Sequence, residues 1–463
     1  MKRSYLYITL LLVVLTLGSC KIGKSYVRPE LNLPDSLAQH QDSLSFGDKE
    51  WWQIYTDSTL RSLIDRALEH NKDMLIAAAR VKEMAAQKRI STANLLPDIR
   101  GTVTAERENE NHGGDAFKRS DTFEAQLLFS WELDLWGNLR WARSASIAEY
   151  LQSVEAQRAL RMTIIAEVAQ AYYELVALDT ELDIVRQTLK AREEGMRLAR
   201  IRFEGGLTSE TSYRQSQVEL ARTATLVPDL ERKISLKEND IAFLAGEYPN
   251  KITRSRLLQE FNFPQELPVG LPSGLLERRP DIRQAEQKLI AANARVGVAY
   301  TNMFPRISLT GRVGSESTAL SELLKSPYSI MEGALLTPIF GWGKNRAALK
   351  AKKAAYEAEV HSYEKAVLTA FKETRNSIVN FNKIKEVYDL RAKLERSAKS
   401  YVDLAQLQYI NGVTNYLDVL DAQRGYFDAQ IGLSNAIRDE LIAVVQVYKA
   451  LGGCLLYTSD AAD

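Results

Sequence analysis

The chain has 463 residues, of which 45% are apolar and 26% charged, the balance of a folded protein with room for a sizeable core. The 60 Lys and Arg residues offset 59 Asp and Glu residues to a formal charge of +1, which gives no electrostatic reason to expect a nucleic-acid partner. With 2 cysteines and 4 histidines that lack ligand spacing, a disulfide scaffold or a thiolate zinc site is excluded for this chain alone. We therefore expect no metal and no cofactor.

The N-terminus has the pattern of an export signal. A positively charged start precedes an uncharged apolar run over 5–17, which is too short to span a bilayer that needs about 20 apolar residues. The run ends in Leu17-Gly18-Ser19-Cys20, which resembles a bacterial lipobox with an acylated cysteine; the alternative is an export signal with a chance cysteine. We predict a signal peptide over 1–19, a lipidated Cys20 and a lipid-anchored segment over 20–55.

The rest of the chain contains two copies of one structural repeat. The stretch over 94–97 returns 208 positions later, and the stretches over 135–137 and 203–208 both return 206 positions later. Each copy predicts a helix, two strands, a very long helix, a tight turn and a second long helix. The resulting domains are repeat 1 over 56–247, a Pro-rich linker over 248–272, repeat 2 over 273–453 and a tail over 454–463 that resembles foreign sequence.

Very long helices are predicted in both repeats. No proline interrupts the stretch over 140–204, and an unbroken helix of that length would reach about 95 Å. Apolar residues step by three and four along Val168 to Leu189 and again along Val387 to Leu404, which predicts a coiled-coil seam in each repeat. The long helices are predicted over about 140–204, 207–246, 343–410 and 413–451, with glycine-containing turns between the members of each pair.

Each repeat also contains a predicted pair of strands. Apolar and polar side chains alternate from Phe123 to Leu135 and from Ile307 to Val313, so one face of each strand is apolar. The strands alone favour half-buried hairpins on a soluble core, although tilted strands of about nine to eleven residues can also cross a bilayer. Trp131, Trp136 and Trp342 stand near strand ends, where membrane-interface aromatics belong. The strands are predicted over about 98–110, 121–135, 306–316 and 327–340.

The number of strands constrains a membrane interpretation. Four strands leave two open edges, and open edges are not tolerated in lipid, so one chain cannot close its own pore. Three copies would supply twelve strands, an even number within the usual range. The predicted fold class is therefore mixed: a four-stranded contribution to a trimeric twelve-stranded transmembrane β-barrel, together with a long coiled-coil α-helical tunnel and two internal structural repeats.

Three stretches carry a family resemblance: Leu275 to Glu286, Phe304-Pro305 and Tyr416 to Arg424. They resemble signatures of the TolC-type outer-membrane factors, in particular the lipoprotein (NodT-type) branch, and the similarity covers nearly everything from Cys20 to Gly453. The resemblance implies a homotrimeric channel anchored in the lipid of the outer membrane, with its tunnel in the periplasm. It implies passive export of small molecules and drugs, with a periplasmic adaptor and an inner-membrane pump of the resistance-nodulation-division (RND) type as partners.

The same resemblance assigns candidate site residues. Asp418 and Asp421 match the family's carboxylates at the periplasmic constriction, and Thr414 and Tyr409 match positions near that gate. The two carboxylates are three residues apart and share a helix face, so a trimer would form a ring that favours cations; a solvated helix face is the alternative. The tips that would contact the adaptor are Gly206, Leu207, Thr208, Gly412 and Val413.

Other functions remain open on the sequence. The same duct could serve a type I secretion system or a metal-ion exporter, and a lipid-anchored periplasmic coiled-coil scaffold is the alternative without a pore. We expect no enzyme activity, because the stretch over 341–345 lacks the spacing and the Ser or Thr of a phosphate loop. The sequence also contains no His-Glu-x-x-His or Gly-x-Ser-x-Gly motif.

Overall fold

A computed structural model describes residues 21–33, 45–111, 113–114, 117–254, 258, 268, 272–339 and 341–453. The predicted signal peptide, Cys20 and the tail over 454–463 lie outside the described residues. The described first half contains helices α1 (Trp51–Ile54), α2 (Ser58–His70) and α3 (Lys72–Ala93), strands β1 (Asp98–Glu110) and β2 (Lys118–Leu133), and helices α4 (Asn138–Glu204) and α5 (Glu210–Leu244). The second half contains α6 (Pro272–Arg278), α7 (Pro280–Thr301), β3 (Arg306–Ser317), β4 (Pro327–Leu336), α8 (Lys344–Ile410) and α9 (Tyr416–Ala450).

Local chemistry explains where the observed elements end. Strand β2 ends at Leu133 because the carboxylate of Asp134 accepts the N–H groups of Leu139 and Arg140, each over 3.0 Å, and so belongs to the start of α4. Strand β4 ends at Leu336, short of the predicted bound at 340. Pro338 follows closely, and its missing N–H cannot continue a ladder.

The chain divides into two compact units. Unit 1 comprises the described residues within 1–31, 79–154 and 284–365 and contains the sheet, whose strands are antiparallel in the order β1-β2-β3-β4. In the described residues, β1 and β4 each have a strand partner on one side only, so both edges of the sheet are open. The open edges agree with the strand count predicted from the sequence.

The two faces of the sheet differ in chemistry. The register pairs Phe129 with Ile99 on one side and with Gly311 on the other, so residues of the same parity share a face across all four strands. One face carries mostly apolar side chains, namely Ile99, Val103, Ala105, Phe123, Ala125, Leu127, Phe129, Trp131, Leu133, Ile307, Leu309, Val313, Met331 and Leu335. The opposite face carries mostly polar ones, including Arg100, Thr102, Thr104, Glu106, Glu124, Gln126, Ser130, Glu132, Ser308, Thr310, Arg312 and Glu332.

Unit 2 comprises the described residues within 32–78, 155–283 and 366–463 and contains the largest apolar core among them. The seam predicted on α4 belongs to this core, with Val168, Leu175 and Val185 almost completely buried. The seam predicted on α8 is not buried within the chain: Leu390, for example, is 64% exposed. Helix α8 instead buries a neighbouring face, formed by Phe381, Val402, Ala405 and Tyr409.

Among the described residues, no helix is both long enough and apolar enough to cross a membrane.

Candidate functional site

The turns between α4 and α5 and between α8 and α9 are built alike. Gly206 and Gly412 adopt φ values of 72° and 74°, a left-handed conformation that suits glycine at the end of a helix. In each turn the N–H of the next residue donates over 2.8 Å to the carbonyl five residues before it. These next residues, Leu207 and Val413, are 77% and 73% exposed, so each tip presents an apolar side chain. Thr208 follows Leu207 and is half-buried.

Two of the predicted gate residues meet at the start of α9. Asn415 caps this helix, because its side-chain oxygen accepts the N–H groups of Leu417 and Asp418 over 2.8 and 3.2 Å. The carboxylate of Asp418 in turn accepts the N–H of Asn415 over 3.3 Å and the hydroxyl of Thr414, which completes a capping box. Asp418 therefore fixes the conformation of the turn as well as carrying a charge there.

The other two predicted gate residues occupy different environments. Asp421 lies one turn further along α9 and is exposed. Tyr409 is only 7% exposed: its ring lies 5.4 Å from that of Tyr416, and the guanidinium carbon of Arg202 lies 4.4 Å from the ring centre. Burial, and secondarily the neighbouring Tyr409, raises the pKa of Tyr416 to about 12, so this phenol stays protonated at neutral pH. Within the single chain, Tyr409 thus packs between helices.

A buried ionic cluster, which sequence reasoning missed, ties three helices together. Glu219 of α5 lies 3.1 Å from the guanidinium of Arg192 of α4 and 2.5 Å from that of Arg424 of α9. The side chains of Arg192 and Glu219 are only 6% and 2% exposed. Burial alone would raise the pKa of Glu219, but the hydrogen bond from Arg424 and the positive charges of Arg192, Arg424 and Arg222 outweigh it and hold the pKa below its usual value. Single charges on long helices give no sequence signal of this contact.

The predicted membrane-interface tryptophans lie in unit 1, near the strand ends that join the helices. Trp131 donates its indole N–H to the carbonyl of Leu95 over 3.1 Å. Trp136 donates to the carbonyl of Pro305 over 2.7 Å, and its ring stacks on Phe304 at 5.3 Å. Trp342 is 91% exposed and adopts a φ of 48°. The indole N–H groups of Trp131 and Trp136 are therefore both satisfied by main-chain carbonyls of the same chain.

The segment after the predicted lipidation site is fixed to unit 1. The indole N–H of Trp141 donates to the carbonyl of Ile22 over 2.8 Å, and the ammonium of Lys21 lies 3.5 Å from the centre of the ring. The ring also packs against Gly297, where an added Cβ would stand only 2.3 Å from a ring atom. The sequence gives no hint of this contact, because Trp141 and Gly297 are far apart along the chain.

Metal chemistry finds no support in the described part of the chain, where no three His, Cys, Asp or Glu side chains are grouped to hold a metal ion.

Known proteins match the chain over almost its whole length. The family model for outer membrane efflux proteins matches residues 63–247 and 271–453. Outer membrane protein OprJ of Pseudomonas aeruginosa is 33% identical over 98% of this chain and 97% of its own length. The toluene efflux pump outer membrane protein TtgI of Pseudomonas putida is 32% identical, with coverage of 95% and 96%. The open-state MtrE outer membrane channel of Neisseria gonorrhoeae superposes with a TM-score of 0.87 at 30% identity, covering 94% of this chain and 98% of its own.

These matches confirm the resemblance to TolC-type outer-membrane factors, the predicted fold class and the outer-membrane location. Proteins of this kind are channels rather than enzymes; they form trimers and work with an adaptor and an inner-membrane pump. The four strands and long helices described above are those of one channel subunit, and the chain belongs to the outer membrane efflux protein family.

Proposed function

We propose that three copies of this protein form the exit duct of a tripartite efflux pump of the RND type. Small molecules, drugs among them, would leave through the duct passively, because the driving force comes from the inner-membrane partner and the chain itself catalyses no reaction. The observation that carries the proposal is the two-faced sheet with open edges, which a single chain leaves incomplete.

The chemistry of the sheet supports closure by identical copies. Joining β4 of one copy to β1 of the next satisfies both rows of unpaired backbone groups, which lipid does not tolerate. In the closed barrel the apolar face meets lipid and the polar face lines the lumen. Polar side chains already interact on that face, since the hydroxyl of Tyr328 donates to Glu124 and, over 3.2 Å, to Gln126. The lumen would therefore be wet and charged, which suits passage without tight binding.

The exposed stripe on α8 supports the same assembly. It consists of side chains that are each at least 46% exposed in the single chain, namely Val387, Leu390, Leu394, Tyr401, Leu404 and Leu407. Only Ser397, between Leu394 and Tyr401, is polar in this seam, and an apolar stripe of this length is characteristic of a covered coiled-coil surface. We infer that a neighbouring copy covers it.

The candidate site residues fit this arrangement. Asp418 and Asp421 would supply six carboxylates to the neck of a trimer and favour cations there, with Thr414 and Tyr409 holding the turn beside them. The glycine-containing tips, with their apolar Leu207 and Val413, would contact the adaptor. Cys20 would carry the acyl anchor, and Trp131, Trp136 and Trp342 would lie at the membrane interface. The two repeats would each contribute half of the strands and half of the tunnel wall.

Single-channel recording in planar lipid bilayers tests the duct. We expect the purified protein to give steady conductance steps with a preference for cations. A variant that cannot assemble, Leu390→Asp combined with Leu404→Asp, is the control and should give none. Protein that is trimeric and inserted but never conducts would contradict the duct and favour the scaffold without a pore.

Pump type is tested in cells. Deleting the gene should raise drug accumulation, and the intact gene should reverse this only where a proton-driven RND pump is present. Restored export in a strain without such a pump would contradict the assignment to the RND type.

A further inference from the structure

The apolar face of the sheet is interrupted at the β3–β4 hairpin. Strand β2 keeps the face apolar as far as Phe123, but the register pairs Phe123 with Ser317 and Ala125 with Ser315. On β4, Ser329 stands opposite Val313 on the same face. If this face meets lipid, it therefore carries the hydroxyl groups of Ser315, Ser317 and Ser329 near the ring of Phe123. In the next row of the same face, Asp121 of β2 pairs with Arg107 of β1 over 2.7 Å, so the interruption lies at the end of the apolar band. An element that covers the serines would therefore lie where the band meets the lipid headgroups.

A short 3₁₀ helix, Leu320–Lys325, lies over this interruption. The hydroxyl of Ser315 donates to the carbonyl of Leu323, which holds the short helix against the apolar face. The cavity on the opposite, polar face is lined by residues that include Glu124, Arg312 and Tyr328, and none of residues 320–325 lines it. The short helix therefore belongs to the apolar side of the sheet.

The side chains of this helix divide into an apolar and a charged group. Leu320 and Leu324 are 66% and 90% exposed, while Leu323 is half-buried. Glu322 and Lys325 are three residues apart, which stacks them on one side of a 3₁₀ helix, and their charged groups lie 3.5 Å apart. By the same spacing, Leu320 shares a side with Leu323 and Leu324 lies on the adjacent side, so leucines occupy two sides of the helix and the ion pair occupies the third. Such a surface fits the boundary between acyl chains and headgroups.

We propose that the 3₁₀ helix Leu320–Lys325 is a lipid-binding element that rests in the outer leaflet of the membrane. Leu320 and Leu324 enter the acyl region and replace the apolar surface that the serines of β3 and β4 omit. Glu322 and Lys325 stay at the headgroups. The occupant of this surface is lipid because the surface is continuous with the apolar face of the sheet, and the inference thus rests on the proposed membrane position of that sheet.

Depth-dependent quenching tests the proposal. A Cys454→Ser background receives Leu324→Cys, Glu322→Cys or Leu127→Cys, each labelled with an environment-sensitive fluorophore in phosphatidylcholine vesicles. The background without an added cysteine sets the baseline, and unchanged conductance shows that each labelled channel is intact. We expect the emission of the labels at 324 and 127 to be shifted to the blue. Lipids that carry a shallow nitroxide should quench both labels. Iodide in the aqueous phase should quench the label at 322.

The outcomes separate this inference from the proposed function. A label at 324 that iodide quenches as strongly as the label at 322, with 127 still in lipid, overturns the lipid-binding element alone. A label at 324 shielded from both quenchers also overturns it, because protein then covers the surface. If the label at 127 is also in water, the sheet is not in the membrane and the proposed function falls with the inference. Leu320→Cys repeats the test should Leu324→Cys disturb insertion.

Discussion

The seams of α4 and α8 have the same apolar spacing but opposite surroundings. On α4, Val168 and Leu175 are 1% and 0% exposed, because α4 packs into the core of unit 2. On α8, Leu390 and Leu404 are 64% and 52% exposed. The repeated pattern therefore serves two purposes: one copy holds the subunit together, and the other is left for a neighbouring molecule to cover.

This contrast explains why stability and assembly should respond to different mutations. A buried seam residue contributes to folding at any protein concentration, whereas a residue on the exposed stripe contributes only when copies meet. The five predictions below start with the one for which we expect the largest effect, and the first two of them separate these contributions.

Charge on the exposed stripe should abolish the trimer. Leu390→Asp with Leu404→Asp would bury two carboxylates per contact without partners, which no apolar interface tolerates. We expect the protein to remain helical by circular dichroism and to become monomeric by size-exclusion chromatography with light scattering. Arg396→Asp is the control, since Arg396 is exposed and lies outside the stripe. A double variant that stays trimeric would show that the stripe is not the interface.

Truncation in the buried seam should cost more than truncation in the exposed one. We expect Leu175→Ala to lower the free energy of unfolding by about 2–5 kcal/mol, because it leaves a cavity in the core. Leu390→Ala should lower the melting temperature less, and its effect should shrink as protein concentration rises. Thermal denaturation at several concentrations measures both. If both variants lost the same stability at every protein concentration, the two seams would not differ in function.

The buried ionic cluster should matter more than a surface ion pair of the same chemistry. Glu219→Gln removes the carboxylate that offsets the buried charge of Arg192 and should cost about 3 kcal/mol, whereas Glu210→Gln on the surface should cost less than about 1 kcal/mol. Chemical denaturation of both variants in detergent measures the difference. Similar costs would show that the cluster is solvated.

The lowered pKa of Glu219 also makes the stability of the fold depend on pH. The folded-state pKa lies below the unfolded value of about 4.3, so this stabilisation is complete above that pH and is lost as the pH falls through the folded pKa. In the Glu219→Gln variant, the loss of stability in acid should be smaller by this contribution. A variant whose stability falls in acid as much as that of the unmodified protein would contradict the assignment.

The two gate carboxylates should separate by their effect on stability. Asp418→Asn and Asp421→Asn should each reduce the cation preference of the channel. Only Asp418→Asn should also destabilise the helix start, by about 1 kcal/mol, because Asp418 belongs to the capping box. Reversal potentials and melting curves measure the two effects, with Asp428→Asn as the exposed control on the same helix. Unchanged selectivity in both variants would remove these residues from the constriction.

Periodicity was sufficient for the elements and for the two faces of the sheet. The alternation along β2 predicts which side of Phe129 and Trp131 is apolar, and the glycines at 206 and 412 predict where the long helices turn back. These features depend on neighbours in sequence, whose spacing is visible in a single chain. Asp418, by contrast, is singled out by the family resemblance of the stretch from Tyr416 to Arg424.

Long-range contacts were not predictable by the same reasoning. A helical period identifies the apolar face of α8 but not the molecule that covers it. The contacts of Glu219 with Arg192 and Arg424, and of Trp141 with Gly297, join residues from separate elements. No local pattern marks such pairs, because each charge or ring alone has the spacing of an ordinary helix surface.

The mass of the intact particle tests the central claim most directly, which is that identical copies close the open edges of the sheet and cover the stripe on α8. Native mass spectrometry of the protein, released gently from outer membranes in detergent, measures this without mutation. The account predicts a particle of three chains. A particle of one chain, still folded and still extracted from the membrane, would contradict it.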